Sequence, residues 1–255
     1  MQHKLDAFER LLNIMDELRA QCPWDRKQTL QSLRILTIEE TYELADALLA
    51  ENLEAIKEEI GDLLLHLVFY AKIADERGAF DIADALHAEC DKLVQRHPHI
   101  YGDVEVEGEE DVKRNWEQLK LQAGKKSVLD GVPHSLPAMV KAYRMQEKTA
   151  QVGFDWEARE QVWHKVEEEL QEFRETVTDE ATPPARREEE FGDLLFSLIN
   201  YARRQGIDPE TALSRTNLKF KKRFEYIEAQ EEKTLREMSL SEMDALWEAA
   251  KKTDE

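Results

Sequence analysis

The sequence predicts an all-α protein of two helical bundles in tandem, and three observations carry that prediction. Glycine and proline are scarce, nine and seven in 255 residues, so long helices with few turns are the simplest use of the chain. Apolar residues recur three and four apart over most of its length, whereas period-two alternation is confined to stretches as short as Val104-Glu105-Val106. A block of acidic residues, a gap and a second acidic block occur twice in the same order.

The elements follow along the chain. In the first half, 1–100, Leu5, Phe8, Leu12, Met15 and Leu18 line one face of an opening helix. Pro23-Trp24-Asp25 precedes a second helix bearing Glu39-Glu40-x-x-Glu43. A longer third carries Glu58-Glu59-x-Gly61-Asp62-Leu63-Leu64, with Ile56, Ile60, Leu64, Leu67 and Ala71 in one stripe. Lys92 and Arg96 lie one turn apart on a fourth, closed by a loop at His97-Pro98-His99. Residues 101–137, with Gly102, Gly108, Gly124, Gly131, Pro133 and Pro137, form the natural connector, with a short helix around Trp116.

The second half, 138–255, repeats the plan. Gly153-Phe154-Asp155-Trp156 leads into Glu168-Glu169-x-x-Glu172, whose helix bears the stripe Val166, Leu170, Phe173 and Val177. Pro183-Pro184 breaks the chain. Glu189-Glu190-x-Gly192-Asp193-Leu194-Leu195 follows, with Phe191, Leu194, Leu195, Leu198 and Tyr201 on one side. Lys219 and Arg223 match Lys92 and Arg96, and Ser239-x-x-Glu242 reads as a capping box before Trp247.

Composition narrows the function. A formal net charge of -20 repels nucleic acid and anionic membranes, so stable nucleic-acid binding is not expected. No apolar run approaches the roughly 20 residues that span a bilayer. Met1 to Arg19 has an amphipathic helix pattern and not that of a secretory signal. Two cysteines, Cys22 and Cys90, are too few for a disulfide framework. A reduced, cytoplasmic protein is expected.

On a helix, residues three apart share a face. Glu169 with Glu172 and Glu190 with Asp193 are two such pairs, and packing their helices antiparallel brings four carboxylates together. Glu40, Glu43, Glu59 and Asp62 are the counterpart in the first half. Like charges so close are costly unless neutralised, and an all-oxygen set favours Mg2+, with Mn2+ as substitute, over zinc. A lone Glu-x-x-Glu is more often a solvated helix face; here the second pair is followed by apolar residues, Gly192 sits inside a helix, and the pattern recurs. A mid-helix glycine is expected where something approaches the backbone closely. A diiron carboxylate bundle would need Glu-x-x-His, and no Glu has a His three residues on. Lys165 and Arg186 lie one turn before Glu169 and Glu190. With Lys219 and Arg223 they complete what a polyphosphate requires: carboxylates for a metal and cations for the remaining charge.

These residues resemble the all-α nucleotide pyrophosphohydrolases, and the tandem arrangement is similar to the MazG family. The resemblance extends from Cys22-Pro23-Trp24-Asp25 through Arg96-His97-Pro98-His99 and Val152-Gly153-Phe154-Asp155-Trp156 to Trp247. It implies a Mg2+-dependent homodimer that splits nucleoside triphosphates into monophosphate and pyrophosphate with broad base tolerance. By position it implies metal ligands at Glu169, Glu172, Glu190 and Asp193. Nucleotide contacts would come from Lys165, Arg186, Arg187, Lys219, Lys222, Arg223 and Trp247. Glu168 or Glu189 would orient or deprotonate the water that attacks the α-phosphate. Trp247 stacks on the base or anchors the last helix. The first half would hold a second metal site and, at Lys92 and Arg96, a second phosphate-binding pair. The competing expectation is a helical nucleotide-sensing or protein-interaction module with little catalysis.

Overall fold

The computed structural model of the chain describes residues 1–108, 111, 112, 115, 127–230 and 234–252. The expected short helix around Trp116 lies outside the described residues. Every regular element within them is helical. The chain divides into two compact units, Met1–Glu107 and Gly108–Glu255.

The first unit contains α1 (Gln2–Gln21), a short 3-10 turn (Asp25–Lys27), α2 (Leu30–Leu49), α3 (Leu53–Asp75), α4 (Ile82–Arg96) and α5 (Pro98–Tyr101). The last of these is helical where the sequence suggests a loop, because Pro98 at the first helical position has no N–H to leave unpaired. Caps fix the starts of the long helices. Thr29 and Ser32 exchange side-chain and backbone bonds at 3.1 and 2.9 Å ahead of α2, Asn52 accepts from Ala55 N before α3, and Asp81 and Asp84 do the same for α4. The α2–α3 turn is so tight that Glu51 takes a positive φ of 52°. Thr37 Oγ1 meets Tyr70 Oη at 2.6 Å, while Glu43 lies beside Glu59 nearer the turn, so α2 and α3 run antiparallel. Met15, Leu33, Val68, Phe69 and Ile73 form the core, flanked by Phe8, Leu12 and Leu36.

The second unit contains α6 (Ala138–Gln151), α7 (Arg159–Thr178), α8 (Pro184–Arg204), α9 (Pro209–Glu228) and α10 (Leu240–Lys252). The Pro183-Pro184 break becomes the start of α8, with proline at its first turn. Asp208 caps α9 through Thr211 N, and Ser239 and Glu242 form the expected box before α10. Trp163 pairs with Tyr201 at 4.9 Å and Phe173 with Phe191 at 5.3 Å between ring centres, which sets α7 and α8 antiparallel. Val162, Val166, Leu194 and Ile199 are buried.

The apolar stripe of α3 does not all face inward. Ala71 is buried, but Ile60, Leu64 and Leu67 are exposed, and the core side of α3 is instead Val68, Phe69 and Ile73. Their counterparts on α8, Phe191, Leu195 and Leu198, are likewise exposed. Both helices are apolar on more than one side, so periodicity alone does not tell which side meets the core.

Candidate active site

The antiparallel hairpins bring the two acidic blocks of each unit together. In the second unit, carboxylate oxygens of Glu169, Glu190 and Asp193 lie within 4.8 Å of one another. Glu169 and Glu190 are buried, at 7% and 2% exposure, and Asp193 is exposed. Glu172, one turn along α7, stands outside this group yet feels it. Partial desolvation, and then the charges of Glu169 and Glu190, raise its carboxyl pKa.

Two cations clamp the cluster. Lys165 Nζ is 2.8 Å from both Glu168 and Glu169. Arg186 is 2.8 Å from Glu189 and also pairs with the buried Glu190. The hydrogen bonds that Lys165 donates to Glu168 and Glu169 raise its pKa, and the bond that Arg186 donates to Glu189 does the same for Arg186, so both stay charged. Lys165 and Arg186 thus each bridge two acids, Glu168 with Glu169 and Glu189 with Glu190.

In the first unit the tight group is Glu40, Glu43 and Glu59, again within 4.8 Å. Asp62 adjoins it: burial and the neighbouring acids, Asp62 among them, raise the pKa values of Glu40 and Glu59. Glu59 Oε2 is buried without a hydrogen-bond partner. An orphaned carboxylate oxygen in an all-carboxylate group fits a hard dication, and both clusters fit Mg2+ or Mn2+ on that chemistry. The sequence supplies no clamp here, since Leu36 and Ala55 stand where the second unit has Lys165 and Arg186. His66, one turn beyond Asp62, is buried with Nδ1 unpartnered, and burial lowers its pKa.

Other expected contacts are redistributed. Arg187 does not face the cluster: its guanidinium donates to the carbonyls of Thr176 at 3.1 Å and Asp179 at 3.1 Å. It caps the C-terminal end of α7, where unpaired carbonyls attract a cation. Trp247 packs 5.2 Å from Phe220, with Arg223 over its ring at 5.6 Å, so it ties α10 to α9. Lys219 is exposed on α9. In the first unit Lys92 pairs with Glu89 of its own helix. A Cβ placed on Gly61 or Gly192 would meet nothing within 4 Å. The close approach expected at these glycines is therefore not made among the described residues.

The sequence reading passes over one feature. A pocket of about 490 Å3 opens beside Lys165, Glu169 and Asp193, walled by α6, the loop at residues 153–156, α7 and α8. Gln146 and Asn200 line it. Comparing the repeats would have flagged Asn200: ten residues beyond Glu190 the chain has Asn200, but ten beyond Glu59 it has Phe69.

The MazG nucleotide pyrophosphohydrolase domain matches twice, over residues 28–101 and 157–227, and each match encloses one acidic cluster. The chain is 45% identical over 256 residues to a Thermotoga maritima protein named nucleoside triphosphate pyrophosphohydrolase/pyrophosphatase MazG, covering 97% of both. It is 39% identical over 260 residues to the Escherichia coli nucleoside triphosphate pyrophosphohydrolase, covering 98% of this chain and 99% of that protein. It is also 46% identical to the Bacillus subtilis uncharacterized protein YabN, over all of this chain and 53% of that one. With the domain present twice and two of these similarities running end to end, the chain belongs to the MazG nucleotide pyrophosphohydrolase family.

Proposed function

We propose that the second unit hydrolyses nucleoside triphosphates to the monophosphate and pyrophosphate, depends on Mg2+ and accepts different bases. Such a reaction controls or cleans the nucleotide pool. The observation that carries this reading is the group Glu169, Glu190 and Asp193 clamped by Lys165 and Arg186. Relatives at 39–45% identity named as pyrophosphohydrolases support it.

Glu169, Glu172, Glu190 and Asp193 would hold the metal. A bound Mg2+, or Mn2+ in its place, offsets the excess of carboxylates and draws electron density from the phosphoryl oxygens. Lys165 and Arg186 would meet the charge of the phosphates. Glu168 or Glu189, tethered to those cations, would orient the attacking water and accept its proton. Lys219, Lys222 and Arg223 on α9 supply positive charge for the leaving pyrophosphate, and Trp247 holds Arg223 in place.

The functional halves are 1–100 and 138–255, joined by 101–137. In the first, Glu40, Glu43, Glu59 and Asp62 bind metal, with Lys92 and Arg96 as its phosphate-binding pair, but turnover is low for want of the clamp. The exposed stripes Ile60, Leu64, Leu67 and Phe191, Leu195, Leu198 occupy matching positions and support a homodimer. No described helix is long and apolar enough to cross a membrane, and a cytoplasmic location suits two free cysteines.

A panel of ribo- and deoxyribonucleoside triphosphates with Mg2+ tests the reaction. Monophosphate and pyrophosphate in equal amounts are expected from several bases. Diphosphate and orthophosphate as the main products would overturn it.

A further inference from the structure

The acidic cluster accounts for phosphates and metal but not for the rest of a nucleotide. At about 490 Å3 the adjoining pocket falls within the size range of small-molecule sites, roughly 300–1,000 Å3. Lys165, Glu169 and Asp193 line both pocket and cluster, so a molecule whose phosphates sit at the cluster has the pocket as its neighbour. The walls are largely apolar, among them Met145, Phe154, Val162 and Phe196, which suits the faces of an aromatic ring.

Two amides in the wall are held in fixed orientations. Gln146 is 6% exposed and donates through Nε2 to the Phe196 carbonyl at 2.8 Å. Its Oε1 is buried with no partner, and an unpaired buried acceptor is costly to maintain. Asn200 Oδ1 accepts from Arg203 at 2.9 and 3.1 Å. Asp155 fixes that arginine in turn, at 2.5 Å. The amide of Asn200 therefore presents its Nδ2 as donor. Gln146 and Asn200 thus bring an unpartnered acceptor and a donor to the lining of one pocket, between apolar walls. The edge of every common nucleobase places an N–H donor next to an acceptor, the complement of such a pair.

We propose that this pocket receives the nucleobase of the triphosphate, gripped by Gln146 and Asn200, and that Phe69 closes the equivalent position in the first unit. This rests on the proposed hydrolysis and deepens it. Phe69 is 2% exposed and packed among Met15, Leu33 and Ile73, and Leu36, at the place of Lys165, packs against the same cluster. The first unit thus spends on its core the space that the second leaves for a ligand.

The test places the Phe69 solution in the second unit. Asn200→Phe is made in the full chain on a Glu43→Ala background, so that only the second acidic cluster is intact. The KM for ATP should rise at least tenfold, while inhibition by inorganic tripolyphosphate, which has no base, stays within twofold. Equal loss of both, or no change in either, would overturn the proposal. A photoreactive azido-ATP, mapped by peptide mass on the wild-type chain, decides the matter even if Asn200→Phe does not fold. Adducts are expected within residues 145–156 or 196–203; adducts confined to Trp247 and its helix would overturn it. Wild-type products settle the hydrolysis separately.

Discussion

Lys165 Nζ stands 2.8 Å from Glu168 and 2.8 Å from Glu169, so one ammonium joins a buried acid of the carboxylate cluster to the acid proposed to orient the water. Charge-assisted bonds of this kind are worth roughly 1.5–3 kcal/mol, or about one to two powers of ten in rate. Lys165→Met should lower kcat/KM for triphosphates by about 10- to 100-fold with the fold intact, since its side chain is 35% exposed. Steady-state kinetics beside a melting curve would check this; a change under threefold would remove Lys165 from the site.

The crowding of carboxylates has a thermodynamic consequence. Neighbouring acids raise the pKa of Glu172 in the second unit and of Glu40 and Glu59 in the first, so the metal-free fold carries internal repulsion. A ligand that binds only the folded state stabilises it by about 2.7 kcal/mol at a hundredfold excess over Kd. Mg2+ should therefore raise the melting midpoint by several degrees over a chelator control at equal ionic strength, and Ca2+-free Mn2+ should do so too. Identical midpoints would mean that neither cluster is a metal site.

Much of this was legible in the sequence because it rests on spacing. Glu169 and Glu190 meet because each lies on a helix of known period and Pro183-Pro184 forces the reversal between them. The pocket was not legible. It depends on α6 lying against α8 so that Gln146 bonds Phe196, a contact fifty residues apart with no local pattern. Arg187 illustrates a third case. Adjacent to Arg186, it points some 100° further round the helix and meets the end of α7 instead of the acids. Ile60 and Leu64 show a fourth, where an apolar stripe is real but its partner is not the core.

Arg19 and Glu76 give a pH prediction away from the acidic clusters. The guanidinium bonds both carboxylate oxygens, at 2.9 and 2.8 Å, and holds the Glu76 carboxyl below its ordinary range, against a smaller opposing effect of burial. A depressed folded-state pKa means the stabilisation is complete above the unfolded value, about 4.3, and is lost as pH falls through the folded one. Glu76 is 38% exposed, so solvent screening limits the pair to about 0.5–1 kcal/mol. Glu76→Gln should lose that much in urea titrations at pH 7 and progressively less as the pH falls below the unfolded value. A deficit that persisted unchanged at pH 3 would assign it to packing and not to charge.

The two units differ at matched positions, and that difference predicts unequal work. Glu190 is 2% exposed and clamped by Arg186; Glu59 has an orphaned oxygen, with Ala55 where the arginine would be. Both acids belong to tight groups of three, so both units keep the means to bind metal. Only the second adds the two cations that a triphosphate's charge requires. Glu190→Gln removes a metal-binding charge from the unit so equipped and should lower kcat at least 100-fold, about 2.7 kcal/mol in the barrier. Glu59→Gln removes the same charge from the unit without cations and should change kcat less than threefold. Stability should move in opposite senses. Glu59→Gln relieves repulsion from Glu40 and Glu43 and should raise the midpoint in chelator, whereas Glu190→Gln forfeits the Arg186 pair and should not. Parallel kinetics and melts of the two variants suffice. If Glu59→Gln abolished turnover while its melting curve stayed normal, the first unit would be the catalytic one and the clamp at Lys165 and Arg186 would need another purpose.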